Sequence, residues 1–149
     1  MNDDRAVQIT IRRYQHSDYD TVTSVWKKAA LRYRPKGRDS RENITRQVDS
    51  GQSSLLLAEA NGIVVGTVLA SSDGRRGFIN RLAVIPDYWG RGVAGRLVSE
   101  AERLLTVLGL EIIVALVEAG NSNSMRVFEK LAYVKEPDIV FVKRKSRDA

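Results

Sequence analysis

Residues 77–108, GFINRLAVIPDYWGRGVAGRLVSEAERLLTVL, decide the fold. The pattern predicts a strand over residues 78–84, a short proline-turned loop, a glycine-rich corner over residues 90–95 and a long helix. Arg96 and Glu100 stand four residues apart in that helix, the spacing of an exposed ion pair. The expected apolar face of the helix consists of Val93, Leu97, Ala101, Leu104, Leu105 and Leu108.

The glycine corner (residues 90–95) predicts a binding site for phosphate. Where a helix begins, its first backbone N–H groups have no partner within the helix and point in the same direction. The positive end of the helix dipole lies behind them, so they attract an anion. We therefore expect a phosphorylated ligand at this corner.

The composition is that of one globular domain over residues 1–149, with 43% hydrophobic and 28% charged residues. No apolar run approaches the roughly 18 residues that span a membrane. The first residues do not form a signal peptide, so we expect a cytoplasmic protein without a membrane partner. The chain has no cysteine and one histidine, His16, which excludes an acyl-cysteine intermediate and predicts no metal site.

The charge balance favours anionic partners. There are 24 Lys and Arg against 18 Asp and Glu, a net charge of +6. Much of the excess lies in residues 32–38 (RYRPKGR) and residues 143–147 (KRKSR). Nucleic acid is not favoured as a partner, because the sequence lacks a recognition helix rich in Arg and Lys and lacks aromatic stacking platforms. A polyanionic co-substrate is the better expectation.

The first third of the chain predicts one strand and two helices. Alternating apolar residues predict the strand over residues 7–13. Ser17 is the expected N-cap of a helix that runs to about Ala30, and Asp39 is the expected N-cap of a second helix that stops at Gly51.

A hairpin follows these helices. Residues 54–60 and 63–71 predict two strands joined by Asn61-Gly62, the strongest short hairpin signal. Another tight turn leads into residues 78–84, so three consecutive strands are expected to be antiparallel.

The last part of the chain predicts strand, helix and two strands. The apolar run at residues 111–117 is typical of a strand buried on both faces. Asn121 or Ser122 is expected to cap the last helix, and residues 133–135 and 139–143 to form closing strands. The order β-α-α-β-β-β-α-β-α-β-β predicts an α/β fold, an α+β mixed sheet with helices on both faces and one right-handed parallel crossover.

Two common phosphate motifs come close to the glycine corner. Residues 90–95 match the G-x-G-x-x-G of dinucleotide-binding folds. Hairpins precede the corner, however, and too few residues follow it to complete a doubly wound sheet. A P-loop would need Lys-Ser or Lys-Thr where this chain has Arg96-Leu97, so a nucleotide hydrolase is not favoured.

Several segments in combination resemble the GNAT (GCN5-related) N-acetyltransferase family. They are residues 82–84 (LAV), 86–88 (PDY), 90–95 (GRGVAG), Asn121 and residues 128–133 (FEKLAY). The resemblance covers most of the chain in order. It implies the GNAT acyl-CoA N-acyltransferase fold and acetyl-CoA as co-substrate, with no metal.

The resemblance also implies a role for each matching residue. Leu82, Ala83 and Val84 would offer backbone hydrogen bonds to the pantetheine arm and polarise the thioester carbonyl. Asn121 would reach the pantetheine or adenosine side, and Phe128 would line the same site. The amides of the corner would hold the pyrophosphate; they belong to Gly90, Arg91, Gly92, Val93, Ala94 and Gly95.

The chain departs from the family at three positions. Trp89 stands where Gln or Arg is usual, and Ala132 replaces a glycine. Phe128 replaces a tyrosine that protonates the leaving thiolate in many members, and phenylalanine cannot donate a proton. Tyr133 and Glu118 are the candidate catalytic acid and base, with water as the alternative in both roles.

The expected reaction is direct attack of an amine on the thioester in a ternary complex. The acceptor, a small molecule or a protein amine, stays open. In the family the region of residues 32–38 borders the acceptor site, so this basic segment would favour an acidic or phosphorylated acceptor. A non-catalytic acyl-CoA-binding module is the alternative function, and a homodimer is compatible with the sequence.

Overall fold

A computed structural model describes residues 8–144. None of the helices in this range has the length and apolar character of a membrane span. In chain order the elements are β1 (Ile9–Arg13), a 3₁₀ turn (His16–Asp18), α1 (Tyr19–Lys28), α2 (Arg41–Asp49), β2 (Ser53–Ala60), β3 (Ile63–Ser72), β4 (Gly77–Val84), a second 3₁₀ turn (Pro86–Tyr88), α3 (Val93–Val107), β5 (Ile113–Ala115) and α4 (Ser122–Lys130).

The five strands form one mixed sheet in the order β1-β2-β3-β4-β5. The first four strands pair antiparallel with their neighbours, and β4 pairs parallel with β5. The crossover from β4 to β5 runs through α3. The mixed sheet and the position of its parallel pair confirm the prediction from sequence.

Helices cover both faces of the sheet because the strands alternate their side chains. In β2, Leu56 and Ala58 belong to a buried cluster that includes α3 and α4, whereas Leu55 and Leu57 belong to a second cluster with α1 and α2. The core therefore consists of two apolar layers, and each layer supports a different side of the site described below.

The predicted face of α3 is largely correct. Its fully or nearly fully buried side chains are Val93, Leu97, Val98, Ala101 and Leu105. Leu108 is 69% exposed because α3 ends one residue before it. The predicted Arg96–Glu100 pair is wrong, since Glu100 pairs with Arg103 and the Arg96 guanidinium donates to the Ile9 carbonyl at 3.3 Å.

The hairpin between β2 and β3 is as predicted. Asn61 and Gly62 have φ of 54° and 76°, the two left-handed residues of a type I′ turn. This turn has the twist of the flanking strands and sets the first pairs of the hairpin, up to a register shift between Ala58 and Glu59.

Two predicted N-caps are wrong. Ser17 lies inside the first 3₁₀ turn, and α1 begins after Asp18. Ser40 caps α2, with its hydroxyl accepting the Asn43 N–H at 3.2 Å. Asp39 is not available as a cap because its carboxylate is engaged elsewhere, with consequences for the site.

The predicted strand over residues 111–117 is shorter than expected. The observed strand, Ile113–Ala115, has three half-buried residues and is not buried on both faces. It is the edge strand of the described sheet, so only β4 pairs with it. An edge strand needs fewer paired residues and leaves one side open.

The two predicted closing strands are absent from the described range, where no strand follows β5. The apolar run that suggested the second of them, Ile139–Val140–Phe141–Val142, has exposed fractions of 68%, 78%, 70% and 86%. Side-chain pattern alone does not make a strand, because a strand also needs a backbone partner in register. Within residues 8–144 no such partner lies beside these residues.

Ala132 adopts the left-handed conformation expected for the glycine it replaces. Its φ is 68°. An alanine pays about 1 kcal/mol in this conformation relative to glycine. The cost falls at the end of α4 and not in the site itself.

Candidate functional site

β4 and β5 separate part-way along their length. β5 pairs only with Gly77, Phe78 and Ile79, and the last link is the Leu116 N–H to the Ile79 carbonyl at 3.2 Å. Beyond it, residues 80–84 of β4 have no strand partner on that side within the described range. We call this gap the β4 opening.

Backbone groups of β4 point into the opening. The Ile85 N–H donates to Val65 on β3 at 2.9 Å, and alternate residues of a strand present their backbone to opposite edges. Val84, and Leu82 two residues before it, therefore present theirs to the opening. The Trp89 indole N–H donates to the Val84 carbonyl at 2.7 Å. The Val84 N–H faces the same edge of β4 and points into the opening.

The glycine corner (residues 90–95) connects the second 3₁₀ turn to α3. Gly90 and Gly92 have φ of 75° and 80°, a conformation that favours glycine. A Cβ at either position would meet no atom within 4 Å, so these glycines serve the backbone path and not close packing. The two left-handed residues turn the chain from the second 3₁₀ turn into α3.

The backbone N–H groups in the first turn of α3 have no hydrogen-bond acceptor within the helix or from its N-cap. Gly92 is the N-cap and supplies no side chain, and the first turn holds no acidic residue. The first amide with a helical partner is that of Arg96, which donates to the Gly92 carbonyl at 3.1 Å. The N–H groups of residues 93–95 precede it and are orphans of the helix start.

Gly95 adds space to this arrangement. It lies in the helix and has no left-handed φ, yet a Cβ there would meet nothing within 4 Å. A glycine inside a helix costs about 0.5–1 kcal/mol relative to alanine. The corner therefore keeps room beside its free amides at a cost in stability.

Two aromatic side chains border the corner. The Arg91 guanidinium lies 5.3 Å from the centroid of the Tyr88 ring, which holds this cation beside the free amides. Trp89 is 49% exposed although its indole N–H is bound. The Trp89 side chain is therefore tied to β4 by a specific hydrogen bond.

A β-bulge lies at the opposite edge of β4, where this strand pairs with β3. The register of β3 against β4 shifts between Thr67 and Leu69, opposite Arg81 and Leu82. Arg81 has φ of 56°, which is uncommon for a non-glycine residue. The bulge immediately precedes the backbone groups that face the opening.

The Arg81 side chain forms what we call the latch, its ion pair with Asp39. The guanidinium donates to the Asp39 carboxylate and to the Arg32 carbonyl. The two side chains are 12% and 8% exposed. Asp39 also accepts the Arg34 N–H at 2.7 Å, so the latch ties residues 32–39 to β4.

A buried threonine completes the connection. Thr67 is fully buried, donates to the Arg81 carbonyl at 2.8 Å and accepts the Trp26 indole N–H at 2.9 Å. The Arg81 guanidinium lies 4.9 Å from the Trp26 ring centroid. The bulge, α1 and the latch form one network. Its members were missed from sequence because its hydrogen bonds join residues 14 to 49 positions apart.

Asn121 and Phe128, both selected by the family resemblance, lie at the start of α4 and within it. This helix packs on the face of the sheet opposite to α1. The Asn121 side chain accepts the Ser124 N–H at 3.1 Å and so caps α4, as predicted. Phe128 is 3% exposed and belongs to the cluster with α3. Its ring meets the Tyr133 ring edge-on, with centroids 5.0 Å apart.

The candidate catalytic residues lie in different surroundings. Tyr133 donates its hydroxyl to the Glu102 carboxylate on α3 at 2.9 Å. Burial, and then this carboxylate, raise the pKa of Tyr133 well above its usual value, so the phenol keeps its proton at neutral pH. Glu118 is exposed and lies three residues after the end of β5.

An open depression of about 490 Å³ lies beside the latch. It is lined by Lys27, Ala30, Leu31, Arg32, Tyr33 and Arg34. The Tyr33 ring packs near Trp26 with centroids 5.7 Å apart, which joins the depression to the buried network. Among the described residues no three His, Asp or Glu side chains cluster as metal ligands would.

Comparison with known proteins identifies the family to which this chain belongs. Residues 15–133 match the model of the acetyltransferase (GNAT) family. An acetyltransferase of Yersinia pestis is 35% identical over 134 residues, 90% of this chain and 94% of that protein. The matched range contains the β4 opening, the glycine corner and the latch.

Solved structures share the fold. An aminoglycoside N-acetyltransferase in complex with CoA superposes with a TM-score of 0.75 at 19% identity, covering 95% of this chain and 98% of that one. An acetyltransferase of Clostridium acetobutylicum solved with acetyl-CoA gives a TM-score of 0.74 at 13% identity, covering 91% and 96%. Both structural relatives thus hold CoA or its acetyl thioester.

Proposed function

Because this chain belongs to the GNAT acetyltransferase family and is an acetyl-CoA-dependent N-acetyltransferase, we propose that it transfers the acetyl group directly to a primary amine while both substrates are bound. The observation that carries this proposal is the uncapped, glycine-built start of α3 beside the β4 opening. The start of α3 offers amides for the diphosphate of acetyl-CoA, and the β4 opening offers backbone groups for its pantetheine arm.

The pyrophosphate of acetyl-CoA would bind the glycine corner. The free N–H groups at Gly90, Gly92 and residues 93–95 would donate to its oxygens, and the α3 dipole would favour its charge. Arg91, held over Tyr88, would add a cation. This mode of binding needs no metal ion.

The acetyl thioester would lie along residues 82–84. An amide N–H on this edge would donate to the carbonyl oxygen and stabilise the negative charge that develops there. The neutral amine attacks the carbonyl carbon, the new C–N bond forms, the C–S bond breaks, and CoA leaves as the thiolate. The absence of cysteine from the sequence leaves no thiol in the chain to carry the acetyl group.

The amine nitrogen loses one proton to water and onward to Glu118, which lies three residues after β5. Phe128 has no proton to donate, and the Tyr133 hydroxyl already donates to Glu102. The thiolate therefore takes its proton from water, with Tyr133 as the protein alternative, and a thiol pKa of about 8.5 makes an unassisted departure feasible.

Substitution Gly95→Ala tests the pyrophosphate site. Since its Cβ meets open space, the variant should be more stable than the wild type without ligand, by about 0.5–1 kcal/mol. The new methyl group would occupy the space proposed for the pyrophosphate, so stabilisation by acetyl-CoA should fall. Wild type at 100 times the dissociation constant should gain about 2.7 kcal/mol. Thermal unfolding with and without acetyl-CoA measures both effects.

Ser99→Ala is the matched control, one turn further along the same side of α3 and exposed. It should leave the response to acetyl-CoA unchanged. Unchanged acetyl-CoA binding by Gly95→Ala would show that the pyrophosphate lies elsewhere. Release of CoA thiol in the presence of amines tests transfer itself, and every thiol counted is a product because the protein contains none. Binding without thiol release would instead favour the acyl-CoA-binding module.

A further inference from the structure

We propose that the amine acceptor carries an anionic group, a phosphate or a carboxylate, and that Lys27, Arg32 and Arg34 bind this group at the depression beside the latch. The inference rests on the proposed function and names the substrate class. It follows from the charge, the fixed backbone and the shape of this region.

The charge of the region is uncompensated. The basic loop (residues 32–38, RYRPKGR) holds four cations and no acid. Lys27 adds a fifth cation at the rim of the depression. A concave surface lined by one sign of charge attracts ligands of the opposite sign.

The nearest carboxylate does not neutralise these cations. Asp39 is buried and is shared between the Arg81 guanidinium and the Arg34 backbone N–H. Its distance to the Arg38 side chain is 3.9 Å, beyond hydrogen-bond length. Asp39 therefore balances the cation of β4 and, within the basic loop, lies at ion-pair distance from Arg38 alone. Among the described residues the charges of Arg32 and Arg34 have no carboxylate partner.

The backbone of the basic loop is fixed while its cationic side chains remain exposed. The Arg32 carbonyl and the Arg34 N–H are the groups that the latch holds. Within residues 8–144 the guanidinium groups of Arg32 and Arg34 make no hydrogen bond or ion pair with the protein. The latch thus holds the backbone of Arg32 and Arg34 in place without using their guanidinium donors, which stay available for a ligand.

The location of the depression suits an acceptor. Its volume of about 490 Å³ is in the range of small-molecule sites, roughly 300–1,000 Å³. Arg32 is bound to Arg81, which immediately precedes the β4 backbone proposed to hold the thioester. The depression belongs to the α1 layer, whereas α3 and α4 cover the other face, so acceptor and CoA would reach the opening from opposite faces.

The same charge argues against a polycationic acceptor. One structural relative is an aminoglycoside N-acetyltransferase, and aminoglycosides carry several ammonium groups. Such a ligand would face the three cations that line this depression, Lys27, Arg32 and Arg34. Like charges at close range disfavour binding.

The first experiment compares acceptors that share a primary amine and differ in charge. We would measure thiol release with O-phosphoethanolamine, β-alanine, ethanolamine and spermidine at saturating acetyl-CoA. The expected order of kcat/KM is the order just given, with the phosphorylated amine at least roughly tenfold better than ethanolamine. Equal rates for ethanolamine and O-phosphoethanolamine, or preference for spermidine, would overturn the proposal.

The second experiment removes the cations without touching the latch. In the triple variant Lys27→Gln, Arg32→Gln, Arg34→Gln the latch contacts survive because they use only the backbone of Arg32 and Arg34. The preference for O-phosphoethanolamine over ethanolamine should fall to about twofold or less. Arg75→Gln, an exposed arginine in the β3–β4 turn, is the control and should keep the preference.

A third measurement covers the case in which none of these amines is acetylated. Thermal unfolding of the CoA-saturated protein should show stabilisation by O-phosphoethanolamine, lost in the triple variant. CoA occupies the glycine corner in this assay, so the added phosphate reports on the depression. Absence of stabilisation by O-phosphoethanolamine would overturn the proposal. Binding of an acidic peptide or an oligonucleotide at the depression, without binding of O-phosphoethanolamine, would overturn it as well.

Failure of this inference is distinguishable from failure of the proposed function. If acetyl-CoA does not stabilise the wild type and no amine releases thiol, the proposed function is wrong. If acetyl-CoA binds normally and the acceptor order is independent of charge, only the anionic subsite is wrong. If the triple variant loses affinity for acetyl-CoA, the cations hold CoA itself and the subsite is again wrong.

Discussion

The glycine corner and the basic loop flank the same opening in β4 but are built in opposite ways. The corner uses backbone groups, two left-handed glycines and the free amides of α3. The basic loop relies on side chains from distant elements, with Arg81 and Asp39 joined across 42 residues. The first is a local structure, and the second exists only when the sheet and the α1 layer are packed together.

This difference separates what each region can contribute. The proposed backbone site would recognise the diphosphate of the co-substrate, because its donors do not depend on side-chain identity. A side-chain site held by a latch can vary from protein to protein and can select one acceptor. Substitutions at the two regions should therefore affect different substrates.

The largest effect is expected from Asp39→Ala. The change leaves the Arg81 guanidinium buried without its carboxylate and removes the acceptor of the Arg34 N–H. Breaking a buried ion pair costs about 3 kcal/mol or more. Urea unfolding followed by tryptophan fluorescence measures the loss, and the shift in stability caused by acetyl-CoA should stay as in the wild type.

A double variant controls for the unpaired charge. Asp39→Ala with Arg81→Met should recover part of the stability lost in the single variant, because no buried cation remains. A loss below about 1 kcal/mol for Asp39→Ala would mean that the latch behaves as a surface pair.

A remote pair provides the next comparison. Asp18 accepts both Arg12 donors at 2.8 Å and the Gln15 N–H at 2.8 Å. The bond to Arg12 is the main reason that the pKa of Asp18 lies below its ordinary 3.8. Asp18→Asn should cost about 2 kcal/mol at pH 7, typical of hydrogen bonds to charged groups, and should leave the acceptor order intact.

The pH dependence of this pair has a definite sign. A depressed pKa in the folded state contributes stability that is fully present above the unfolded value of 3.8 and is lost as pH falls through the folded pKa. The difference between wild type and Asp18→Asn in urea unfolding should therefore be constant from pH 7 to about 5 and shrink below pH 4. A difference that grows on acidification contradicts this assignment.

Gly92→Ala addresses the backbone region. Its φ of 80° is unfavourable for alanine and should cost about 1 kcal/mol in the free protein. The stabilisation by acetyl-CoA should fall as the first amides of α3 reorient, while the preference among acceptors stays. A changed acceptor order with intact acetyl-CoA binding would reverse the roles assigned to the two regions.

Trp89→Phe has the smallest expected effect. It removes the 2.7 Å hydrogen bond to the Val84 carbonyl at a half-exposed position. The expected cost is about 0.5–1 kcal/mol, the net value of one hydrogen bond. Thermal unfolding checks this value, and a larger loss would show that the indole fixes the path of the corner.

Much of the architecture could be predicted from local signals. Asn61-Gly62 fixed the hairpin, and Val93, Leu97 and Ala101 marked the buried face of α3. Predictions failed where a neighbour decides the outcome. Asp39 resembles a helix cap in sequence but is drawn to Arg81, and residues 139–142 have the side chains of a strand without a partner.

The sequence by itself determined the fold family, the antiparallel run of strands and the glycine corner. These depend on spacing, turn residues and left-handed backbone, which neighbouring residues set. Only the tertiary structure decided the β4 opening, the strained bulge at Arg81 and the latch that fixes the basic loop. Each of these requires side chains or strands far apart in sequence to meet, and that meeting depends on how the two apolar layers pack against the sheet.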